Sequence, residues 1–446
     1  MVWLGSRTIR IQEVIPVNRK NPYSLVDVNR ILIDPLTAHR LGQTATVGVD
    51  IAKSECVACV VWPDRSFERP WRVKSPGEVR LLVAKLIELK GRCPVAVAME
   101  SSGTYGDPLR QALSDAGIEV RRVSTKAVKD HSETFDGVPS QHDGKDAAII
   151  GTLCLSGHAK EWRWSDRSDQ DQAIGYWVRK LDTAQRIKQV WSGKLESLLA
   201  RHWPEAGGVL KQSGATLPRA LLQWGDPRVL AADPQAPEQL AKFGGHYLMP
   251  QKIARVVESA RRSIGVRMNP WAVREMKEIA SAILKQRRRI QSCRRELKKL
   301  TQANKTIQAQ SAAVGLVTAC VLWMCLGDAG HYGSAAAYRK AMGLNLKERS
   351  SGMHKGKLGL SKRGQRLTRK WLYFSALRWM REPSVKRWIE RKKQRDGGRG
   401  DKAAVAVMRR LALAAWHIGQ GEVFEPNRLF PGTRRPNKIK EDITMQ

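Results

Sequence analysis

Acidic residues are scarce in this chain of 446: 42 Asp+Glu stand against 78 Lys+Arg, for a formal charge of +36 and a pI near 10.4. That balance excludes an acidic or neutral metabolic enzyme as the default. Long hydrophobic runs are also missing. The longest, Ala312 to Leu326, has 15 residues and contains Thr318, short of the roughly 20 that a spanning helix needs, so it reads as buried core and no membrane partner is expected. Seven cysteines are an odd number at irregular spacing. Their one close pair, Cys56 and Cys59, sits in a strand-like run with no second pair to complete a zinc site, which argues for reduced, structural thiols. The first forty residues carry scattered charges with Pro16, Pro22 and Pro35 but no hydrophobic signal core, so a cytoplasmic location is expected. No internal repeat or low-complexity tract stands out.

What is present is a chain with 42% hydrophobic residues, enough for real cores, and a length that suggests two or three domains. The charge favours a polyanionic partner, because each phosphate neutralised by Lys or Arg releases counterions. It is unevenly spread. From Ala336 to Gln446 there are 28 Lys+Arg and 9 Asp+Glu, a surplus of 19 in 111 residues. There Trp371, Phe374, Trp379 and Trp388 interleave with basic residues, which suits either backbone contact with stacking or an aromatic core.

Thr46 to Val61 reads as two antiparallel strands broken by a polar turn. A short strand at Trp71–Val73, a helix opened by Ser75-Pro76-Gly77-Glu78, a buried strand over Pro94–Glu100, a helix around Pro108–Ala116 and a strand from Ile118 follow. A basic loop then leads to a helix containing HDGKDAAIIGTLC. Beyond Trp162 the pattern changes to long helices. One runs from Ile174 to Leu198, and a second is announced by Asn269-Pro270 and carries steps of four and three from Ala272 to Ile307, as in a coiled coil. Proline and glycine mark an insertion over 205–250.

Four carboxylates sit where phosphoryl transfer would want them. Asp50 lies in the first strand, Glu100 ends the fourth, and Asp143 and Asp146 share a helix face. Singly, each has a bland role as a strand end or helix cap. Clustered carboxylates repel, by roughly 4 kcal/mol per pair at about 4 Å and an effective dielectric near 20, which points to a divalent cation. Oxygen-only ligands select Mg²⁺, with Mn²⁺ the substitute. A second constellation runs from Gly343 to Tyr373. Ser350, Ser351 and Gly352 are flanked by Lys347, Arg349, His354, Lys355 and Lys357, with Lys362, Arg363, Arg366, Arg369 and Lys370 following. On chemistry alone this is a nucleophile in a positive pocket or a loop that binds nucleic-acid backbone.

GVDIAKS, AMESSGTYGDPL, HDGKDAA and GLNL…SSG…SKRG…LTRKWLY, in that order over roughly Thr46 to Ile418, resemble the bacterial insertion-sequence transposases of the one-hundred-and-ten family, relatives of Piv-type DNA invertases and themselves understood as bridge-RNA-guided recombinases. Ala312-Ala313-Val314-Gly315 replaces the Pro-Gly-Ile-Gly usual before the transposase motif, and residues 1–45 match nothing in it. The resemblance implies an α/β RuvC-like, ribonuclease-H-type catalytic domain, a long-helix coiled-coil region and a mainly α C-terminal transposase domain. The expected organisation is a 1–45 extension, a 46–162 nuclease domain, a 163–310 helical region and a 311–446 transposase domain. It further implies Mg²⁺ at Asp50, Glu100, Asp143 and Asp146, and a phosphoserine link to DNA at Ser351, with Ser350 its nearest rival. Donor and target DNA, a bridge RNA and a dimeric to tetrameric, nucleoid-associated assembly are the implied partners. Alternatives are a junction-type RuvC-like nuclease using water and a non-catalytic nucleic-acid-binding protein.

Overall fold

The computed structural model describes residues 21–40, 42–100, 103–138, 140, 142–162, 168–348, 350, 356 and 358–431. The chain divides into two compact units, Met1–Asp166 and Arg167–Gln446.

The first unit is built on a mixed sheet of seven strands: β1 (Val26–Asp27), β2 (Ala45–Ile51), β3 (Glu55–Val61), β4 (Trp71–Lys74), β5 (Val95–Glu100), β6 (Glu119–Val123) and β7 (Lys160–Glu161). Their spatial order is β1-β4-β3-β2-β5-β6-β7. β2, β3 and β4 form an antiparallel meander, while β5 runs parallel to β2 and β6 parallel to β5. Five helices accompany it: α1 (Ile33–Thr37), α2 (Val79–Lys90), α3 (Asp107–Asp115), α4 (Thr125–Asp136) and α5 (Asp143–Leu155). The central strands are apolar at nearly every position because both faces are covered. Leu82, Leu86, Leu109 and Leu113 of α2 and α3 pack with Val47, Val49, Val97 and Met99 on one face. Ile149, Ile150 and Leu153 of α5 pack with Ala98 and Val123 on the other.

The fold corrects one expectation and adds one strand. The basic stretch after β6 is the helix α4, not a loop; its apolar stripe is too thin to see, since Val128 is its one buried residue. The sheet also takes a strand upstream of Thr46, because β1 pairs in parallel with β4.

The second unit is helical. α6 (Asp169–His202) is followed by α7 (Ala206–Val209), α8 (Thr216–Trp224), α9 (Pro227–Ala232), α10 (Ala236–Gly244), α11 (Pro250–Arg261) and α12 (Pro270–Leu300). Leu195 and Leu199 of α6 pack with Met276, Ile279 and Ile283 near the start of α12. Ile174 and Val178 of α6 pack with Cys293 and Leu297 near its end, so the two long helices run antiparallel. The intervening short helices share the core of the first of these ends, with Trp203, Leu221, Trp224 and Leu240. α12 stops at Leu300 and does not continue to Ile307. Thr301 caps it, and Asn304 starts α13 (Lys305–Val314) by accepting from the Ile307 amide at 2.9 Å.

The longest apolar run is divided at Gly315 between the end of α13 and α14 (Leu316–Leu326), whose Ala319, Cys320, Val321 and Leu322 are fully buried. Among the described residues no helix is long and apolar enough to cross a membrane. The remainder comprises α15 (Ala335–Ala341), the hairpin β8 (Leu346–Lys347) and β9 (Gly359–Leu360), α16 (Arg366–Trp379), α17 (Pro383–Arg395), α18 (Gly400–Gly419) and α19 (Pro426–Leu429). The tryptophan-rich stretch is largely core, since Trp371 and Trp388 are buried and Trp379 donates its indole N–H to the Ala313 carbonyl at 2.6 Å; Phe374 alone of the four is exposed.

Candidate active site

The parallel ladder sets Val49 beside Met99, so Asp50 and Glu100, one residue further along each strand, end side by side at one edge of the sheet. Strand alternation puts Asp50 on the face of Gly48 and Glu100 on the face of Ala98. That is the α5 face: Ala98 packs with Ile149 and Ile150, and Gly48 lies directly beneath the helix. A Cβ at Gly48 would stand 2.0 Å from the Ala147 carbonyl oxygen and 2.4 Å from the Gly151 nitrogen, while one at Gly151 would stand 2.5 Å from Val61 Cγ2. Two glycines therefore let helix and sheet approach at backbone distance, and the first turn of α5 carries Asp143 and Asp146 toward the strand ends.

Electrostatics register the convergence. Burial first, and then Asp146, Glu100 and Asp143, together push the Asp50 carboxyl up to about 6, against a backbone amide at Ile51 that lowers it. The Asp146 carboxyl is also raised, first by burial, then by Glu100 and Asp143, with Lys145 and His142 pulling the other way. Among the described residues, no three His, Cys, Asp or Glu side chains are close enough to make a ready-formed coordination group. The four acids are thus neighbours that repel one another. The helix start is capped by His142, whose Nδ1 accepts from the Gly144 amide at 3.1 Å, which leaves Asp143 and Asp146 free of that duty.

Sequence reasoning passed over Lys145, which is fully buried. No sequence signal marked it: a lysine between two aspartates reads as a solvated charge, and only the fold shows that it occupies the inward side of α5.

In the second unit the serine loop springs from the β8–β9 hairpin. Its base is cinched by Ser361 N–H donating to Asn345 O at 2.7 Å and Gln365 N–H to Ala341 O at 3.1 Å. Gly343 has φ +71°, and a Cβ at Gly364 would meet the Ala341 oxygen at 2.3 Å, which explains glycine at both ends of the motif. Ser350 is exposed; Ser351, Arg349, His354, Lys355 and Lys357 lie outside the described residues. Lys347, Lys362, Arg363 and Arg366 are exposed around the hairpin base. The other two basic residues are engaged inside the fold: Arg369 donates to the Met342 and Gly364 carbonyls at 2.9 Å, and Lys370 pairs with Asp182 at 2.5 Å.

A further basic surface lies along α6 and α12. Arg179, Lys180 and Arg289 line a concavity with Tyr176, Thr183 and Gln286, and the Lys188 ammonium is held down by burial and by Arg287 and Arg294.

A family model for DEDD transposases of the IS110 type matches residues 47–204, the stretch that holds all four acids in the order Asp, Glu, Asp, Asp. A second, described as Transposase IS116/IS110/IS902 family, matches residues 308–391, which include the serine loop. No curated protein matches the chain. Two models of one family, in the right order and together spanning more than half of the sequence, fall on the two motifs that the structure sets in a mixed sheet and in a helical unit: the chain belongs to the IS110 family and is a DNA transposase.

Proposed function

We propose that this transposase breaks and rejoins DNA through a serine–phosphodiester link, with Asp50, Glu100, Asp143 and Asp146 holding Mg²⁺ in a RuvC-like domain and a bridge RNA choosing the sites. The observation that carries the reading is the convergence of four carboxylates from β2, β5 and α5, with Asp50 raised by all three others. An all-oxygen, mutually repelling donor set fits a hard divalent cation. The chemistry such an ion supplies when bound is charge neutralisation at the acids and polarisation of phosphate oxygens.

The chain's own residues do the rest. The Ser351 oxygen gives up its proton and forms the new bond to phosphorus, the bond to the 3′ oxygen breaks and that oxygen takes up a proton, and the freed 3′ hydroxyl later attacks the phosphoserine link of the other DNA, breaking the serine–phosphorus bond and returning the serine hydroxyl. Ser350, one residue away, is the competing nucleophile. Lys347, Lys362, Arg363 and Arg366, with Arg349, Lys355 and Lys357 of the same loop, hold the backbone against the serine. Base pairing with the RNA reads sequence while the protein reads backbone and shape, and a dimer to tetramer brings donor and target together.

The test is a covalent adduct between full-length protein and a labelled DNA carrying the element's ends, with its RNA and Mg²⁺. The adduct is expected in wild type and in Ser350→Ala, and absent in Ser351→Ala and without metal. Cleavage with no adduct in wild type would replace this reading with a water-using junction nuclease. Binding with neither cleavage nor adduct would leave only a nucleic-acid-binding protein.

A further inference from the structure

We propose that Tyr23, Asp136 and Lys145 form a strap that fixes the first turn of α5 and so makes Tyr23 and Lys145 positioning residues for Asp143 and Asp146; this rests on the reading of the four acids given above. Lys145 is fully buried, and its Nζ donates to Asp136 Oδ1 at 2.6 Å and to the Val138 carbonyl at 2.5 Å. A buried ammonium is costly unless paired and hydrogen-bonded, so its two acceptors at the end of α4 hold the α5 turn to which it belongs. Asp136 gathers further donors: its Oδ2 accepts from the Tyr23 hydroxyl at 2.8 Å and its Oδ1 from the Val138 amide at 3.0 Å.

The contact is made twice, once by side chain and once by backbone. The Tyr23 carbonyl oxygen stands where residue 144 would place a side chain, 2.6 Å from a Cβ built on Gly144, with Pro70 Cγ at 3.1 Å. Only glycine lets the segment cross there. The Tyr23 ring stacks on Phe67 with centroids 5.8 Å apart and lies 6.0 Å from the ring of His142, the cap of α5. β1, a few residues on, anchors the same segment to β4. The strap therefore originates upstream of residues 47–204, the stretch that the family model matches. Its target is the turn in which Asp143 lies two residues before Lys145 and Asp146 directly after it. An apolar side chain at 145 would fill the same space at no electrostatic cost. A lysine bonded to Asp136 and the Val138 carbonyl instead fixes the rotation of the turn on which the two acids ride.

The experiment uses the full chain as wild type, Tyr23→Phe, Lys145→Met and the double variant. Mn²⁺ affinity is titrated by electron paramagnetic resonance, amide exchange is followed in peptides covering the start of α5, and each Tm is measured. Loss of a group that orients a ligand typically costs roughly 10- to 100-fold in metal affinity. Each single variant is expected to lose about tenfold with faster exchange at the α5 start, and the double variant less than the product of the two, because both act through Asp136. A lowered Tm with Mn²⁺ affinity unchanged overturns the proposal, as it would make the network merely structural. Should Lys145→Met fail to fold, Tyr23→Phe, which removes one oxygen, decides alone. A wild-type protein that takes up no Mn²⁺ defeats the metal reading instead; unchanged exchange at the α5 start in Tyr23→Phe then defeats the strap as well, and faster exchange sustains it.

Discussion

At the scale of single residues, Asp50 has a cost as well as a use. Its carboxyl is raised from 3.8 to about 6 in the fold, so the folded state prefers it protonated. For such a group the favourable contribution is complete below the unfolded value and is lost as pH rises through the folded one. Asp50→Asn is therefore expected to raise the Tm of the metal-free protein above about pH 6 and to leave it unchanged near pH 4, while abolishing strand cleavage at every pH. Adding Mg²⁺ should shrink the difference by stabilising wild type alone. Thermal melts across pH with and without the ion check this; a variant that melts below wild type at neutral pH without metal would refute it. The four acids were legible as a set because strand, strand and helix patterns placed them in a known order. Lys145 was not, because a lysine between two aspartates reads as a solvated charge until the inward face of the helix is known.

At the scale of elements, the site depends on how closely α5 can lie on the sheet. Gly48→Ala would set a Cβ 2.0 Å from a backbone oxygen, which no side-chain rotation relieves. Overpacking of this kind costs about 1–3 kcal/mol, and cleavage should fall with it as the Asp143–Asp146 turn is pushed off the strand ends. At Gly151 the obstacle is the Val61 side chain, so Gly151→Ala should be partly rescued by Val61→Ala, whereas Gly48→Ala should not. Urea melts of the three single variants and of the two doubles that carry Val61→Ala separate the two cases. The strands and the two long helices were legible because a period of two or of 3.6 survives wherever one face is buried. α4 escaped notice because only Val128 of its 12 residues is buried, and β1 because two residues carry no period at all. The apolar stepping across Leu300 to Ile307 hid the end of α12, where Asn304 caps the next helix. The basic face of α12 yields its own test: if Arg289 and Arg294 contact phosphates, replacing each by Ala should flatten the slope of log K against log salt by about 0.7 to 0.9. An unchanged slope would make it a solvated face.

At the scale of the whole molecule, the surplus of 36 positive charges repels itself in the folded state, and a bound polyanion relieves that repulsion while binding the folded chain in preference to the unfolded one. By linkage such a ligand raises the apparent stability. If an RNA partner is integral, it should copurify with the full chain at moderate salt, resist DNase and disappear with RNase. The stripped protein should then melt at lower temperature. Screening distinguishes bulk charge from a specific fit: at 1 M salt the Debye length falls to about 3 Å, so a purely electrostatic loss of Tm would be recovered by salt alone. Recovery by the element's own RNA but not by salt or by an unrelated RNA of equal length is the expected result. Equal recovery by any of the three would reduce the charge to non-specific binding and remove the ground for RNA guidance.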